Sequence, residues 1–393
     1  MMSPAVDRSA ELPGSTSTLS IEDLRQSQDV QAKYARPGEA EDWTGVEPED
    51  VDRYGFIAKT GSAARFRAAA SLDGRRSVRL FRKAPARAHE IYFEPKADTD
   101  HRREKRREVK WRDMAAREFD PRTGAVSYTF ERTPKLIKRT FKGIPDAWRA
   151  WAWRSFLTAS AQKRSDFVPD KRLEALYQRY LTEASAHDVQ IDLDVPRTID
   201  GHVMFSSRYS GGQRLLFRVL HCLSLHFADL GYVQGMAMLA ATLLCYYDEV
   251  SCFIMLVRMF TARRVGRLYR DNFAGLFGCF HELETVLGTR KLGAALKAME
   301  IVPTVYATKW YLTLFSYTVP FAVQLRIWDV FFLLGGDGFK VLHAASLTLL
   351  DSMADLAHAD FDAAMQALTQ PVHVQDADLF MKVLAYEYKK LRA

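Results

Sequence analysis

From Pro134 to the end of the chain, apolar residues recur at helical spacing in segment after segment, and Gly or Pro breaks each run. Apolar side chains three and four positions apart share one helix face, whereas a half-buried strand needs strict alternation. Alternation is scarce here, so the periodicity predicts an all-α domain. Ile144-Pro145 opens one helix, with Pro145 suited to a first-turn position and Trp148, Trp151, Ala152 and Phe156 on one face. Another runs from Gln213 through Leu216, Val219, Leu220, Leu223 and Phe227 and stops at Gly231, a C-terminal cap. Residues 235–246 are apolar almost all round, as in a central core helix. Helical patterns recur at 252–260, 273–287, 292–299, 310–317, 321–334, 341–356, 361–368 and 376–391, with no repeat of constant period.

The region ahead of this pattern is different in kind. Residues 1–50 are rich in Ser, Glu, Asp, Gly and Pro and poor in bulky aliphatics, so they are expected to be a disordered tail. An apolar-aromatic island, VDRYGFI at 51–57, is suited to docking on the domain that follows. Residues 51–134 form a basic, weakly structured region that includes Arg75, Arg76, Arg79, Arg82, Lys83 and Arg87. Within it, HRREKRREVKWRDMAAREF from His101 reads as a charged helix, with Val109, Trp111 and Met114 as a thin apolar stripe. The domain proper is expected to span 135–393.

Charge and cysteine usage narrow the function classes. Lys and Arg number 55 against 48 Asp and Glu, a net +7, which favours an acidic partner of some kind. The basic region shows no zinc spacing and no aromatics interleaved with its charges, so nucleic acid is not the expected partner. Docking on acidic lipid headgroups is the alternative use of those charges. The four cysteines, Cys222, Cys245, Cys252 and Cys279, form no CxxC pair and read as small core hydrophobes in a reducing compartment. The opening MMSPAVDRSAELPGSTS has no apolar run, the chain ends KKLRA, and residues 232–247 are too short to span a bilayer. No leader, lipid anchor or transmembrane segment is therefore expected, and the location is expected to be cytoplasmic.

The familiar catalytic signatures fail one by one. GGDGFK at 335–340 has glycines and a lysine but neither the spacing nor the Ser/Thr of a phosphate-binding loop. Asp192 and Asp194 begin like a calcium loop, but Pro196 occupies the third ligand position. His221 and His226 miss the i, i+4 spacing of a helical ligand pair. No metal or organic cofactor is expected in this chain.

Two junctions carry more information. In IDLDVPRT, from Ile191 to Thr198, Pro196 fixes its own φ and pushes Val195 extended, Ile191 anchors the loop, and Asp194 stands three residues before Arg197. The combination presents one arginine on a stiff stalk. In GYVQGM, from Gly231 to Met236, a carboxamide flanked by glycines lies between two apolar helices. Buried, Gln234 would be an unsatisfied burden; exposed at a helix start, it can hydrogen-bond a ligand. A plain helix-connecting turn with a polar cap remains the alternative for each.

Together these pieces resemble the TBC domain of Rab GTPase-activating proteins, in order, over about two-thirds of the chain. Lys142-Gly-Ile-Pro145 with Arg149 and Trp153 is similar to the family's opening motif. Ile191, Asp194 and Arg197 match IxxDxxR, Tyr232 and Gln234 match YxQ, and Trp310 with Phe315 and Arg326-Ile-Trp328-Asp329 resemble its later motifs. The resemblance implies a two-lobed helical fold, a GTP-bound Rab-family partner that itself binds the GTP and magnesium, and a role in vesicle trafficking, peripheral to endomembranes. It implies Arg197 as arginine finger and Gln234 as glutamine finger, with Asp194, Tyr232 and Ile191 supporting them. Arg149, Trp153, Trp310, Trp328 and Asp329 are implied as scaffold. The chain would act in trans on its partner, with no reaction of its own. Phe227 and Ala237 depart from the pattern, standing where the family often has asparagine. A catalytically silent Rab-binding effector or scaffold is the competing reading.

Overall fold

The protein is described by a computed structural model over residues 19–35, 46, 51–57, 97–121 and 124–392. The basic segment from Arg75 to Arg87 lies outside these residues. Two helices precede the main body, α1 (Ile21–Ala35) and α2 (Ala97–Arg112), and a hairpin of β1 (Ala115–Phe119) and β2 (Val126–Phe130) follows. The first helical group is α3 (Pro134–Phe141), α4 (Asp146–Ala161), α5 (Asp170–Tyr180), α6 (Asp188–Asp194), α7 (Gly211–His226), α8 (Met236–Leu244) and α9 (Glu249–Ala262). The second is α10 (Ala274–Leu287), α11 (Lys291–Ala298), α12 (Pro303–Leu312), α13 (Phe321–Leu334), α14 (Gly338–Ser352), α15 (Phe361–Thr369) and α16 (Ala377–Lys390). The all-α expectation holds, with one short antiparallel hairpin among the described residues, pairing Ala115 with Phe130 and Phe119 with Val126.

Packing follows the apolar pattern. All nine residues of α8 are buried, and α7 and α9 pack against it, so the helix that is apolar on every side sits at the centre of the first group. In the second group, α13 and α14 are buried along most of their length and pack on each other, with α16 against α14. The groups are joined where α13 meets α3 and α4. At about 1.5–3 kcal/mol for each fully buried large aliphatic or aromatic side chain, these contacts are the main driving force of the fold.

The joint between the groups is polar. Asp329, fully buried on α13, accepts from Arg149 Nε at 3.1 Å and from Trp153 Nε1 at 2.8 Å through Oδ1, and from the Ile144 amide at 3.2 Å through Oδ2. Arg149 also donates to the Ile144 carbonyl at 2.7 Å and to the Tyr246 hydroxyl at 3.1 Å. Burial alone would lower the Arg149 guanidinium, but the charge of Asp329 holds it above its ordinary value. Pro145 takes the N-cap position of α4, one residue earlier than expected, and the chain just ahead of it supplies the groups that Arg149 and Asp329 bind.

Several expectations are corrected. Residues 1–50 are not disordered throughout: α1 docks on α6 with Val30 and Tyr34 buried. Tyr34 stacks on Phe217 at 4.0 Å, a tertiary contact that supplies the surface its polar sequence lacks. The charged helix stops at Arg112 rather than running on to Phe119, because the last residues pair into β1. Of its stripe, Trp111 is buried against Phe130 while Val109 is exposed. The helix expected over 310–317 ends at Leu312. Leu314 and Phe315 then adopt positive φ, a turn held by the Phe315 amide on the Trp310 carbonyl at 2.8 Å and by Trp328 Nε1 on the Leu314 carbonyl at 2.9 Å.

Removing Asp329 takes away the buried counter-charge of Arg149, leaving it the partly exposed Asp146, and strips acceptors from Trp153 Nε1 and the Ile144 amide. Asp329→Ala is expected to cost about 3–5 kcal/mol, read as a fall in the urea midpoint. His226, packed against Tyr180, Phe227 and Phe253, is pushed by burial from 6.5 down to about 4. The folded state therefore disfavours the imidazolium, and this stability is whole above pH 6.5 and is lost as pH falls through about 4. The loss amounts to roughly 3 kcal/mol. His226→Phe is expected to flatten that acid limb in a plot of urea midpoint against pH.

Candidate functional site

The arginine junction grows out of α6. Ile191 and Val195 are buried on its inner side, which fixes the helix against the core. The chain does not extend at Val195, as the proline had implied. Val195 is helical (φ −51°, ψ −50°), and a 3-10 turn over Val195–Arg197 continues the helix, with the Val195 amide still bonded to the Ile191 carbonyl. Packing overrides the local preference of a residue before proline, and Pro196, lacking an N–H, sits in the turn without breaking a helical bond. Arg197 emerges on the solvent side with its side chain 61% exposed.

Asp194 organises the site from beneath. Its carboxylate is almost fully buried: Oδ1 accepts from Arg197 Nε at 3.1 Å and from Arg197 Nη2, and also from Gln190 Nε2 at 3.3 Å. Oδ2 accepts from the Tyr232 hydroxyl at 2.7 Å. One carboxylate thus ties the arginine turn to the loop before α8. Burial, with the hydrogen bond to Asp194, pushes the Tyr232 phenol well above its ordinary value, so it remains a donor at every pH the fold survives. The hydrogen bonds that Arg197 donates to Asp194 likewise raise its already basic guanidinium, which stays charged.

Gln234 stands two residues beyond Tyr232, exposed, in a tight turn at the start of α8. Gly231 and Gly235 flank it at φ 62° and 106°, conformations that side-chain-bearing residues rarely adopt. At Gly231 a Cβ would collide with the His187 ring, 2.0 Å from Nε2. At Gly235 the neighbours are Thr313 and Leu312, which places this loop against the Trp310–Phe315 turn. That turn closes the site from the second helical group, because the Tyr317 hydroxyl donates to the Thr198 carbonyl at 2.5 Å.

The predicted residues therefore separate into two clusters. Arg197 and Tyr232 are each bonded to Asp194, Ile191 anchors the turn, and Gln234 lies in the same loop as Tyr232. Arg149, Trp153 and Asp329 form the buried joint described above, with Trp328 5.9 Å from the Trp153 ring. Trp310 is buried and packs on Tyr306 and Phe315. Phe227 packs face to face with Phe260 at 5.5 Å and Ala237 is buried, so both departures from the family pattern are accommodated as core. His221 is also core, bonded to Asp188 at 2.6 Å and to the Tyr180 carbonyl at 2.9 Å.

Two supports escaped the sequence reading. Tyr317 lay inside a misplaced helix. From α1, Ser27 donates to Asp188 at 2.6 Å, Tyr34 donates to Asp192 at 2.7 Å, and Lys33 pairs with Asp192 at 3.0 Å. The signal for α1 was the spacing of Ser27, Val30 and Tyr34 on one face, diluted by polar neighbours.

The helical fold and its motifs fit the TBC resemblance, and comparison with known proteins shows the family. The Rab-GTPase-TBC domain family model matches residues 146–356. A TBC domain-containing protein of Schizosaccharomyces pombe, C1778.09, is 43% identical over 286 residues, covering 72% of this chain and 67% of that protein. The Rab GTPase-activating protein eat-17 of Caenorhabditis elegans is 29% identical over 260 residues, 64% of this chain and 28% of that one. Among solved structures, the Chlamydomonas flagellar RabGAP TBC domain superposes with a TM-score of 0.56 at 22% identity, covering 75% of this chain and 96% of its own. The Ypt/Rab-GAP domain of Gyp1p gives 0.57 at 15% identity, covering 73% and 99%. At these identities the structural likenesses establish the fold. The chain belongs to the Rab-GTPase-TBC domain family.

Tyr232→Phe removes one donor from the buried Asp194 carboxylate and nothing else. It is expected to destabilise the protein by about 1–3 kcal/mol, measured as a shift in urea midpoint at unchanged slope.

Proposed function

We propose that this protein accelerates GTP hydrolysis by a Rab-family GTPase, lending Arg197 and Gln234 to the partner's active site. The observation that carries this reading is the shared Asp194 carboxylate: it steadies Arg197 from behind and, through Tyr232, fixes the loop that presents Gln234. Both side chains are exposed, and the Gln234 amide has no hydrogen-bond partner among the described residues. Small GTPases are slow because charge on the transferring phosphoryl group is poorly neutralised and the attacking water is poorly held. A guanidinium meets the first need, with a permanent charge and a planar fork that reaches two oxygens. A carboxamide meets the second, accepting from the water and donating to its surroundings at once.

The nucleotide and its magnesium ion belong to the partner. Val189 and Leu193, four apart on α6 beside the arginine turn, are exposed apolar side chains suited to covering by a docked GTPase. Rab GTPases work on the cytosolic face of membranes, so this function makes the protein cytoplasmic and peripheral, with a part in vesicle trafficking.

Single-turnover GTP hydrolysis across a panel of Rabs tests the proposal. With the matching Rab, Arg197→Ala is expected to remove about 10³–10⁵-fold of acceleration. Arg197→Lys is expected to recover little of it, because an ammonium lacks the fork. Gln234→Ala is expected to abolish most of the effect at an unchanged melting temperature, whereas Arg197→Ala also takes a counter-charge from the buried Asp194 and lowers it, so that variant is assayed well below its melting transition. Binding to GTP-loaded Rab with unchanged turnover in the wild-type protein would instead establish a silent effector.

A further inference from the structure

Far along the chain from the finger loops, α2 and α3 enclose a cleft of about 240 Å³ lined by Arg103, Arg106, Arg107, Lys110, Arg139 and Lys142, with Trp111 and Gly143 completing its wall. Six cations line one small concavity, and no acidic side chain lines it with them among the described residues, Asp378 reaching Arg103 and Arg107 from outside. The sequence explains how they meet. Arg103, Arg106, Arg107 and Lys110 fall at i, i+3, i+4 and i+7, one face of α2. Buried Trp111, edge-on to Phe130 at 5.3 Å, pins that helix to the hairpin. Arg139 and Lys142 come from the last turn and C-cap of α3.

Among the described residues, structural ion pairing does not account for this concentration of charge. Asp378 is shared by three guanidiniums: it pairs with Arg103, bonds Arg326 at 2.6 Å and stands 3.8 Å from Arg107. Burial, followed by the charges of Arg103 and Arg326, pulls the Arg107 guanidinium below its ordinary value, as crowding by like charge does. Arg139 Nε and Arg326 Nε are both buried with no hydrogen-bond partner. Gly143, at φ 99°, leaves the wall open at this point: a Cβ there would lie 3.3 Å from Arg326 Nε and 3.5 Å from Arg107 Nη1. A folded protein that gathers like charges and leaves buried donors unused has a deficit of negative charge at that place.

We propose that the cleft between α2 and α3 binds an anion carrying several phosphates on one small ring, an inositol polyphosphate, either free or as the headgroup of a phosphoinositide lipid. Arginine forks and lysine point charges on several sides suit clustered phosphates better than a single carboxylate or one lone phosphate. Nucleic acid fits poorly, since the aromatic residue of the cleft, Trp111, is buried instead of offered for stacking. The site is independent of the Arg197 and Gln234 reading.

Two probes used with the full chain at physiological ionic strength test it: calorimetric titration with inositol hexakisphosphate, and co-sedimentation with vesicles carrying a phosphatidylinositol bisphosphate. Vesicles of equal net charge made with phosphatidylserine serve as control. The expected result is binding of inositol hexakisphosphate that falls about a hundredfold in Arg106→Glu/Lys142→Glu. It should persist in Arg117→Glu/Lys135→Glu, an equal charge change on exposed residues outside the cleft, and in Arg197→Ala. Preference for the phosphoinositide vesicles identifies the lipid source, and binding of the soluble anion alone identifies the free one. No binding, equal binding to phosphatidylserine vesicles, equal loss in the two double variants, or tighter binding of an oligonucleotide overturns the proposal. Melting curves of each variant confirm that folding is retained, and the single variant Lys142→Gln, with its weaker loss, stands in if a double variant does not fold.

Discussion

A carboxylate buried in the seam between two groups of helices holds the arrangement together. Asp329 faces Arg149, the Trp153 indole and the Ile144 amide, so a charge that would be costly alone is met from the start of α4 and the chain before it. Because Asp329 lies on α13 and its partners lie some 180 residues earlier, the pair can form only when the two groups have come together in one register. Apolar contacts would tolerate several ways of stacking α13 on α4. The hydrogen-bonded charge pair accepts one, and the turn held by Trp310, Phe315 and Trp328 is oriented with it.

The same device recurs at the surface on a smaller scale. Asp194 is buried as Asp329 is, but one of its partners is solvent-exposed. A guanidinium backed by a fixed carboxylate keeps its charge and loses part of its freedom to wander, which is what an exposed arginine needs in order to meet a partner in a defined place. Tyr232 and Tyr317 extend the hold to the neighbouring loops. The rigidity of these junctions is therefore supplied from below, and Arg197 and Gln234 face solvent.

How much of this was legible depended on the range of the signal. The unbroken apolar run of α8 reads as a buried helix because nothing else can absorb it, whereas the spacing of Ile191, Asp194 and Arg197 at the end of α6 reads as a plain turn until the family resemblance is added. Other features lacked a local signal. Residues 115–119 look like more of a charged helix, and only pairing with Val126–Phe130 makes them a strand. The helical pattern at Trp310 runs on through Phe315, but a bond from Trp328 to the Leu314 carbonyl turns the backbone away. Polar α1 reads as tail because the carboxylates it serves lie about 160 residues downstream. No pattern in the sequence announces that Arg326 and Arg103 will share Asp378.

The placement of α1 changes where the unit begins. The family match opens at residue 146, yet Ser27, Lys33 and Tyr34 are the partners of Asp188 and Asp192 on the helix that ends in Asp194. At the other end, Asp378 and Glu387 on α16 neutralise Arg326 and Arg290, again beyond the matched span. A fragment trimmed to residues 146–356 would keep Arg197, Gln234 and the Arg326–Asp329 motif while shedding Lys142–Pro145 and the struts at both margins. Its arginine turn would then rest on a helix whose acidic face had been stripped of its cover.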